Sequence, residues 1–517
     1  MSIPVIDLFA GPGGLAEGFS SVLDGNKRFF KIKLSIEMEQ YAHQTLLFRS
    51  FYRQFGIGEV PVDYYKVIWE NDPKKRQELK NKLAKKYKNE WRNAVQEAWK
   101  CELGHKDFPP ELVDGRIQDS LNNAKEWVLI GGPPCQAYSL AGRSRVGGID
   151  ANDHRVYLYK EYLRIIAAHQ PSVFVMENVR GLLSAKLEGK SIFRMILNDL
   201  RDPGQIFSEY KSKRYRIYSF VNKTVSSLFD ENPEYKSDRD FLIQSELYGI
   251  PQSRHRVILL GIKEGYTLSD PDIIDKADKK LNLKDVIETL PPVRSGLSKR
   301  IIETSLINNR NRHKYGKIDD SDEAWQETIN RFRSELGLSA VNHIPDLNKG
   351  ASFIRTGIKF SDKEIKKWYY DPRLRGVCNH ESRNHMESDL KRYLFASTFL
   401  QKEKRFPRMH DYPNDLLPEH RSAKSGKFND RFRVQEPDKP ATTVTSHISK
   451  DGHYFIHYDP KQCRSLTVRE AARIQTFPDN YYFWGNRTQQ YHQVGNAVPP
   501  LLAGKLAKII KSIIKKK

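Results

Sequence analysis

The first third of the chain alternates short apolar runs with amphipathic segments. This is the pattern of βαβ units, in which helices cross over between parallel strands. The apolar runs predict strands at 5–9, 33–37, 128–131, 173–176 and 257–261. We therefore expect an α/β fold with a doubly wound, mostly parallel sheet.

A lysine-rich segment at 71–106 separates the second and third of these strands. Asp72 followed by Pro73 is a good helix start, because aspartate caps a helix and proline fits its first turn. The segment is therefore predicted to be a helical insertion that is solvated and able to lie along a phosphate backbone.

The pattern changes between 281 and 463, where periodicity weakens and basic and aromatic residues are interleaved. This predicts a second, smaller domain that is irregular and rich in short strands. We therefore divide the chain into a domain at 1–280, a second domain at 281–463 and a final segment at 464–517 that ends in an apolar, basic helix.

The composition indicates the net charge of the protein and the cellular compartment in which we expect it. Lys plus Arg number 86 against 64 Asp plus Glu, a net charge of +22. This favours a polyanionic partner such as nucleic acid, although a solvated basic surface has the same composition. The four cysteines include no CxxC pair, which argues against a disulfide framework. Neither a signal peptide nor a bilayer-spanning run is evident, so we expect a cytoplasmic protein without a membrane partner.

A glycine-rich turn at 10–14 directly follows the first predicted strand. Such a turn lets the backbone approach a ligand closely. Glu37 ends the next predicted strand, where a carboxylate can accept hydrogen bonds from ribose hydroxyls. The turn is not GxGxxG, so a dinucleotide is not indicated, and a tight turn without a ligand explains the glycines nearly as well.

Two chemically interesting side chains follow predicted strands. Cys135 lies on a loop stiffened by Pro133 and Pro134, at the carboxyl end of a strand, where open α/β sheets build their sites. A buried packing cysteine is the alternative, but Gly-Gly-Pro-Pro is a poor core sequence. Glu177 follows the strand at 173–176, and in isolation a surface salt bridge or a helix cap would explain it better.

Six segments resemble the motifs of the cytosine-5 DNA methyltransferases. They are 7–14 (DLFAGPGG), 133–136 (PPCQ), 177–179 (ENV), 252–256 (QSRHR), 464–473 (RSLTVREAAR) and 493–500 (QVGNAVPP). They occur in that family's usual order and cover both ends of the chain, apart from the lysine-rich insertion. The resemblance implies a methyltransferase fold, DNA (cytosine-5-)-methyltransferase activity and a final helix that completes the catalytic domain.

The resemblance also implies a mechanism. Cys135 would add to C6 of cytosine, which makes C5 nucleophilic. Glu177 would offset charge at ring nitrogen N3, and Arg254 would hold the carbonyl oxygen of the base. The target base is stacked in a duplex, so it must be flipped out. Further contacts to the substrate DNA are expected from Gln136, Ser139, Asn178, Gln252 and Arg256.

The implied cofactor is S-adenosyl-L-methionine. The resemblance assigns its site to Phe9, Gly11, Gly13, Gly14, Glu37, Met38, Ile117, Asn496 and Val498. The third cofactor motif, assigned to 115–119, departs from the family's pattern, because Arg116 stands where an acidic residue is expected. Asp119 would then replace that acid.

In this family the region equivalent to 281–463 selects the DNA sequence, so double-stranded DNA is the expected partner. Its arginines and asparagines suit base edges and phosphates, although most of them could simply build a small domain. Cys378, His380 and His385 suggest a metal cluster, but a structural zinc site wants four ligands, and we expect no metal.

Two alternatives remain. An RNA cytosine-5 methyltransferase of the tRNA-modifying branch is disfavoured by the QAYS sequence at 136–139 and by the large recognition region. A non-catalytic DNA-binding homologue is disfavoured because Cys135, Glu177 and Arg254 are all intact. No regulatory domain flanks the core, so we expect a bacterial monomer that modifies host DNA in a restriction-modification or phage-defence system.

Overall fold

The computed structural model describes residues 2–134, 154–225, 232–266, 270–307, 310–340, 347–360, 362–418 and 431–516. Among these residues an eight-stranded sheet forms the centre of the molecule. Its strands are β1 (Ile3–Leu8), β2 (Phe30–Glu37), β3 (Ala98–Lys100), β4 (Val128–Gly131), β5 (Val173–Val179), β6 (Tyr215–Ser219), β7 (Leu242–Gln244) and β8 (His255–Lys263).

The strand order is β6-β8-β5-β4-β1-β2-β3, and β7 pairs with β8 off this path. Strands β1 to β5 are parallel to one another, whereas β8 runs antiparallel to its neighbours β5, β6 and β7. All five predicted strands are confirmed as members of this sheet, and so is its mostly parallel character.

Helices cover both faces of the sheet. The helices of the first half of the chain are α1 (Gly14–Ser20), α2 (Gln40–Arg53), α3 (Val62–Trp69), α4 (Pro73–Lys86), α5 (Lys88–Glu97), α6 (Pro110–Leu121), α7 (His154–His169), α8 (Ile192–Arg201) and α9 (Pro203–Ile206). Leu129 of β4 belongs to the core on one face, while Val128 and Ile130 belong to the core on the other. Burial on both faces explains why the central strands are nearly continuous apolar runs.

The lysine-rich insertion differs from its prediction in two ways. Its helix does begin after Asp72, whose Oδ1 accepts a hydrogen bond from Lys75 N at 2.9 Å. The helices end at Glu97, however, and the next three residues form β3, the edge strand of the sheet, so 98–106 is not part of a helical insertion. The helices are also not fully solvated, because Leu83 and Ala94 are buried in a core shared with residues of the recognition region.

The described residues of the recognition region, 281–463, form both helices and strands. Its main elements are α10 (Leu283–Ile287), β9 (Lys299–Ile307), β10 (Arg310–Lys317), α11 (Asp322–Glu335), β11 (Gly350–Arg355), α12 (Lys363–Tyr369), β12 (Gly376–Glu381) and α13 (Glu387–Glu403). β9 pairs with β10, and β11 pairs with β12, both antiparallel. One core is internal to the region and includes Leu297, Leu394 and Cys463.

The final segment forms α14 (Val468–Ile474), α15 (Arg487–Asn496) and α16 (Pro500–Lys515). α14 and α15 share a core with the recognition region, in which Leu283 and Val377 meet Ala472 and Val494. The predicted final helix is confirmed as α16, which packs on α1. Both helices contribute to the hydrophobic core on one face of the central sheet. No helix among the described residues combines the length and apolar character that crossing a membrane requires.

Candidate active site

The loop after β1 has an unusual backbone. Phe9, Gly11 and Gly13 adopt positive φ angles of 55°, 56° and 94°. Two of the three are glycines, which adopt this conformation without steric cost. A Cβ on Gly13 would lie 2.8 Å from Leu46 Cδ1, whereas a Cβ on Gly11 would meet nothing within 4 Å. The loop is therefore tightly packed against the protein at Gly13 and has open space beside Gly11.

Glu37 connects this loop to the end of β2. Its Oε2 accepts a hydrogen bond from Gly11 N at 2.7 Å, and its Oε1 accepts one from Glu39 N at 2.7 Å. Burial raises the pKa of this carboxyl. The adjacent Met38 is 54% exposed, although it is a large apolar side chain. A carboxylate beside an exposed apolar surface is suited to a ribose next to an adenine ring.

The expected third cofactor motif at 115–119 is not at this edge of the sheet. These residues lie inside α6, and Ile117 is fully buried in the hydrophobic core. Asp119 lines a surface hollow of about 360 Å³ with Lys31 and Lys33, which belong to the first half of β2. The assignment of Ile117 to the adenine face is therefore corrected, because its side chain is committed to core packing.

In the structure Glu102, rather than 115–119, lies near the end of β2. Cys101 N donates a hydrogen bond to Glu37 O at 3.1 Å, so the residues after β3 continue beside the end of β2. Glu102 is half-buried and Leu103 is buried. An acid followed by an aliphatic residue thus lies at the carboxyl end of the edge strand. Little in the amino-acid pattern indicated this position, since β3 has three residues and directly follows a helix.

The final segment closes the loop from the other end of the chain. A Cβ on Gly14 would collide with the carbonyl oxygen of Val498. Tyr481 Oη donates a hydrogen bond to the carbonyl oxygen of Pro12. Val498 is buried, whereas Asn496 is exposed at the end of α15. The structure therefore brings Val498 of the last motif against the glycine loop.

The catalytic edge is formed by the ends of β4 and β5. Gly131 pairs with Met176, so the loop after β4 and Glu177 emerge side by side. The Cβ position of Gly132 is 3.0 Å from Glu177 Oε2. The expected nucleophile Cys135, and with it Gln136 and Ser139, lies outside the described residues.

Arg254 directly precedes β8, the strand next to β5, and Arg256 lies within it and contacts the carboxylate of Glu177. Arg256 Nε lies 2.9 Å from Glu177 Oε1. Arg254 is 2% exposed and donates from Nη1 to the carbonyl oxygens of Val444 at 2.8 Å and Gly495 at 3.3 Å. Burial lowers the pKa of Arg254 well below its ordinary value, and the charge of Arg256 lowers it further. A substrate that gains negative charge here would favour the charged guanidinium.

Two expected DNA contacts face the protein instead. Gln252 is fully buried, with Nε2 donating to Ile474 O at 3.0 Å and Oε1 accepting from Val444 N at 3.1 Å. Asn178 is also buried, and its Oδ1 accepts from Val179 N at 2.8 Å. The expectation that these amides contact DNA is corrected, because both are buried and form hydrogen bonds within the protein.

The segment 442–445 is a part of the site that the sequence did not single out for this role. Thr443 Oγ1 donates to Ser253 O at 2.5 Å, and Val444 holds both Gln252 and Arg254. A polar hollow of about 650 Å³ lies beside these contacts. It is lined by Ser253, Lys280, Arg433, Lys439 and Thr443 among others.

The three residues considered for zinc have other partners. Cys378 Sγ donates to Asp479 O at 3.3 Å. The ring nitrogens of His380 lie 2.9 Å from Thr467 Oγ1 and 2.8 Å from Pro291 O. Across the described residues, no group of three or more His, Cys, Asp and Glu side chains could hold a metal ion.

The fold defines the class of the protein. The structure is similar, with a TM-score of 0.50 and 18% identity, to an E. coli prophage-encoded protein described as a DNA modification methyltransferase. The similarity covers 99% of this chain and 100% of that one. The chain therefore has the methyltransferase fold, with a mixed, mostly parallel sheet between two layers of helices.

Sequence comparison identifies the family. The model of the C-5 cytosine-specific DNA methylases matches residues 78–512, so the chain belongs to that family and is a DNA (cytosine-5-)-methyltransferase. It is 32% identical to the type II methyltransferase M.Bpa9945I of Bacillus paralicheniformis, over 99% of each chain. It is 25% identical to the DNA (cytosine-5-)-methyltransferase M.ApeKI of Aeropyrum pernix, over 75% of this chain and 81% of that one.

Proposed function

We propose that this enzyme transfers the methyl group of S-adenosyl-L-methionine to C5 of a flipped-out cytosine in duplex DNA, with Cys135 as the nucleophile. The observation that carries the proposal is the position of Glu177. Its carboxylate lies against Gly132, three residues before Cys135, and Arg256 holds it there. An acid and a thiol at adjacent strand ends can act on one base.

The glycine loop fits the cofactor. Gly11 leaves space where any side chain would project, and Glu37 offers a carboxylate beside it. Met38 offers an exposed apolar surface, and Glu102 would bind the adenine from the neighbouring strand end. S-adenosyl-L-methionine, when bound, supplies a methyl group made electrophilic by its sulfonium.

Cys135 solves the problem that C5 of cytosine is a poor nucleophile. Its thiolate forms a bond to C6, and the electron pair of the C5–C6 double bond becomes available at C5. After C5 is methylated, a base removes the C5 proton, the double bond re-forms and the thiolate leaves. Splitting the reaction in this way replaces one difficult step by easier ones.

Glu177 and Arg254 stabilise the charge that thiolate addition creates. Glu177 shares a proton with N3 of the ring, where negative charge would otherwise accumulate. Arg254 donates to the carbonyl oxygen of the base, and its position is fixed by the carbonyl oxygens of Val444 and Gly495. Arg256 positions Glu177 through their ion pair.

The described cysteines support the choice of Cys135. Cys101, Cys378 and Cys463 are each no more than 2% exposed. Burial raises the pKa of the Cys101 thiol to about 12, and it raises the pKa of Cys378 and Cys463 as well. Because the thiolate is the nucleophilic form, these three thiols are unsuited to attack a base.

Type II restriction-modification is the setting that the relatives favour. M.Bpa9945I is a type II methyltransferase and aligns with this chain over 99% of both lengths. We infer that the chain acts as a monomer on double-stranded DNA and protects the host genome in such a system, or in a related phage-defence system. The net charge of +22 suits a DNA substrate.

Covalent trapping tests the mechanism. Duplex DNA with 5-fluorocytosine at the target position should form a stable adduct with the enzyme after methyl transfer. Fluorine cannot leave as a cation, so sulfur stays bonded to C6. Cys135→Ser should abolish the adduct and turnover but keep binding of S-adenosylhomocysteine, because a serine hydroxyl is far less ionised than a thiol. Peptide mapping identifies the modified residue.

Cys101→Ser, or the same change at another buried cysteine, is the matched control and should leave the adduct. An adduct that persists in Cys135→Ser would overturn the mechanism. Bisulfite sequencing of a plasmid modified by the pure enzyme identifies the target cytosine. Methylation of tRNA but not of the plasmid would show the RNA alternative, and binding of DNA without methylation would show a non-catalytic homologue.

A further inference from the structure

Strands β9 and β10 form an antiparallel ribbon in the recognition region, here called the basic ribbon. From 301 to 306 every side chain is exposed. Consecutive residues of a strand point to opposite faces, so both faces of the ribbon are open to solvent there. A two-stranded ribbon is only marginally stable by itself, which makes a large exposed one unusual without a partner.

The ribbon is strongly charged. Its two strands contain six Lys and Arg residues and one acidic residue, Glu303, a net charge of +5 over 17 residues. Glu303 pairs with Lys314 at 3.7 Å. Lys299, Arg300, Arg312 and Lys317 form no ion pair with any acid in the described part of the chain. The ribbon thus presents positive charge that the protein does not neutralise.

The two faces differ in composition. The register pairs Arg300 with Gly316, Glu303 with Lys314 and Ser305 with Arg312, which places Arg300, Arg312 and Lys314 on one face. The opposite face carries Lys299 and Lys317 at one end, and the apolar Ile301, Leu306 and Tyr315, which are 41%, 69% and 45% exposed. A bulge between 301 and 303 places Ile302 against Gly316, on the face of Arg300.

A ribbon of this size matches the major groove of DNA. Paired strands lie about 4.8 Å apart, so two strands with their side chains are close to the major-groove width of about 12 Å and too wide for a minor groove of about 6 Å. Eight paired residues extend over roughly 26 Å, more than half a turn of the duplex. Arginine and lysine are the side chains that contact both phosphates and guanine edges.

We propose that the basic ribbon lies in the major groove of the substrate DNA and that Arg300, Arg312 and Lys314 bind the duplex there. The inference rests on the proposed function, because it takes duplex DNA as the substrate. It adds a contact surface that is separate from the strand ends where the cytosine reacts. Its basic face contacts the phosphates that border the groove, and this charge provides affinity.

Two matched triple variants test the proposal. In the first, Arg300, Arg312 and Lys314 are changed to Gln, and in the second, Ile301, Leu306 and Tyr315 on the opposite face are changed to Gln. DNA affinity is measured across salt concentrations with the intact enzyme. Each phosphate contact contributes about 0.9 to the slope of log K against log salt. The first variant should therefore lose about 2 to 3 from that slope, and the second should keep the parent slope.

Protection of guanine N7 from dimethyl sulfate tests the groove, because N7 lies in the major groove. The parent should protect guanines that the first variant leaves reactive. Both variants should bind S-adenosylhomocysteine as the parent does, which shows that they are folded. An unchanged slope in the first variant, or a loss only in the second, would overturn the proposal, and unchanged N7 protection would overturn the groove assignment.

A failure of the proposed function looks different. If the parent binds DNA but transfers no methyl group, the proposed methyl transfer is wrong. The salt dependence of DNA binding by the two variants still decides whether the ribbon binds the duplex.

Discussion

A single carboxylate, Glu37, fixes the geometry of the cofactor loop before any ligand binds. It accepts hydrogen bonds from Gly11 N and from Glu39 N, so it connects the ends of β1 and β2. The loop itself has three positive φ angles, one of them at the non-glycine residue Phe9. Preorganisation of this kind lowers the cost of ordering a binding site.

At this scale the structure and the sequence pattern assign the adenine-contacting acid to different residues. We expect Glu102→Gln to weaken binding of S-adenosylhomocysteine about 10- to 100-fold, the usual effect of losing a hydrogen bond from a charged acceptor. Asp119→Asn should leave affinity unchanged, because Asp119 lies beside Lys31 and Lys33 at the other end of β2. Isothermal titration calorimetry measures both affinities.

Glu37→Gln should weaken binding at least as much as Glu102→Gln, since its amide would present a donor to Gly11 N. Glu39→Gln is the matched control two residues away, because Glu39 is exposed and only caps α2. If Asp119→Asn weakened binding and Glu102→Gln did not, the third cofactor motif would belong in α6 after all.

Among the elements, the insertion helices do more than extend the catalytic domain. Arg76 of α4 is buried and donates from Nη2 to Ser352 Oγ at 2.7 Å, in β11 of the recognition region. From α3, just before the insertion, Trp69 Nε1 donates to Leu374 O at 2.6 Å, and Tyr65 Oη donates to Asp371 Oδ2 at 2.6 Å. The insertion and α3 therefore join the two regions at a place other than the chain connections at 281 and 463.

Arg76→Met tests this connection. The change keeps much of the side-chain volume but removes a buried hydrogen-bonding group, so we expect the free energy of unfolding to fall by about 1–3 kcal/mol. DNA affinity should fall as well, because the recognition region loses part of its support, while S-adenosylhomocysteine binding should not change. Urea denaturation and the binding assays measure these effects.

Lys74→Met is the control on the same helix, because Lys74 is exposed. It should change the free energy of unfolding by less than about 0.5 kcal/mol. Equal effects of the two substitutions would show that the insertion is independent of the recognition region.

The central elements could be predicted from the sequence, and the edge elements could not. β4 and β5 are buried on both faces, so their apolar runs mark them clearly. β3 has only three residues and pairs along one edge, which leaves almost no pattern. Gln252 matched a motif, but the motif could not show that its amide binds Ile474 and Val444 rather than DNA.

On the scale of the whole molecule, the recognition region is held partly through its backbone. Three buried arginines of the final segment donate to its carbonyl oxygens, each at 2.8 Å. Arg464 binds Val293 O, Arg469 binds Cys378 O and Arg473 binds Val286 O. Carbonyl oxygens are present whatever the side chains are, so these contacts tolerate a change of recognition sequence. The contact to Ser352 is different, because it depends on a side chain.

Exchange of 281–463 for the region of a family member with known specificity should transfer the target sequence. We expect the chimera to fold, because the three arginines still find carbonyl oxygens, but to unfold at a lower temperature than the parent. Exchanging helices α3 to α5, 62–97, together with 281–463 should restore part of the lost thermal stability. Bisulfite sequencing reports the target, and thermal unfolding reports stability.

A folded, active chimera that kept the original target would show that specificity lies outside 281–463. A double exchange that was no more stable than the single one would show that the contacts between the insertion and β11 need no matching.

The packing of Val498 against Gly14 has a consequence for how the enzyme comes into being. At about 5–20 residues per second, roughly 25 to 100 s pass on the ribosome between the synthesis of these two residues. Throughout that time the glycine loop lacks the wall that closes it. A nascent chain, or one whose translation stops early, therefore holds the catalytic motifs in an incomplete pocket. Methylation of the host genome begins only with chains that have been translated almost to their last helix.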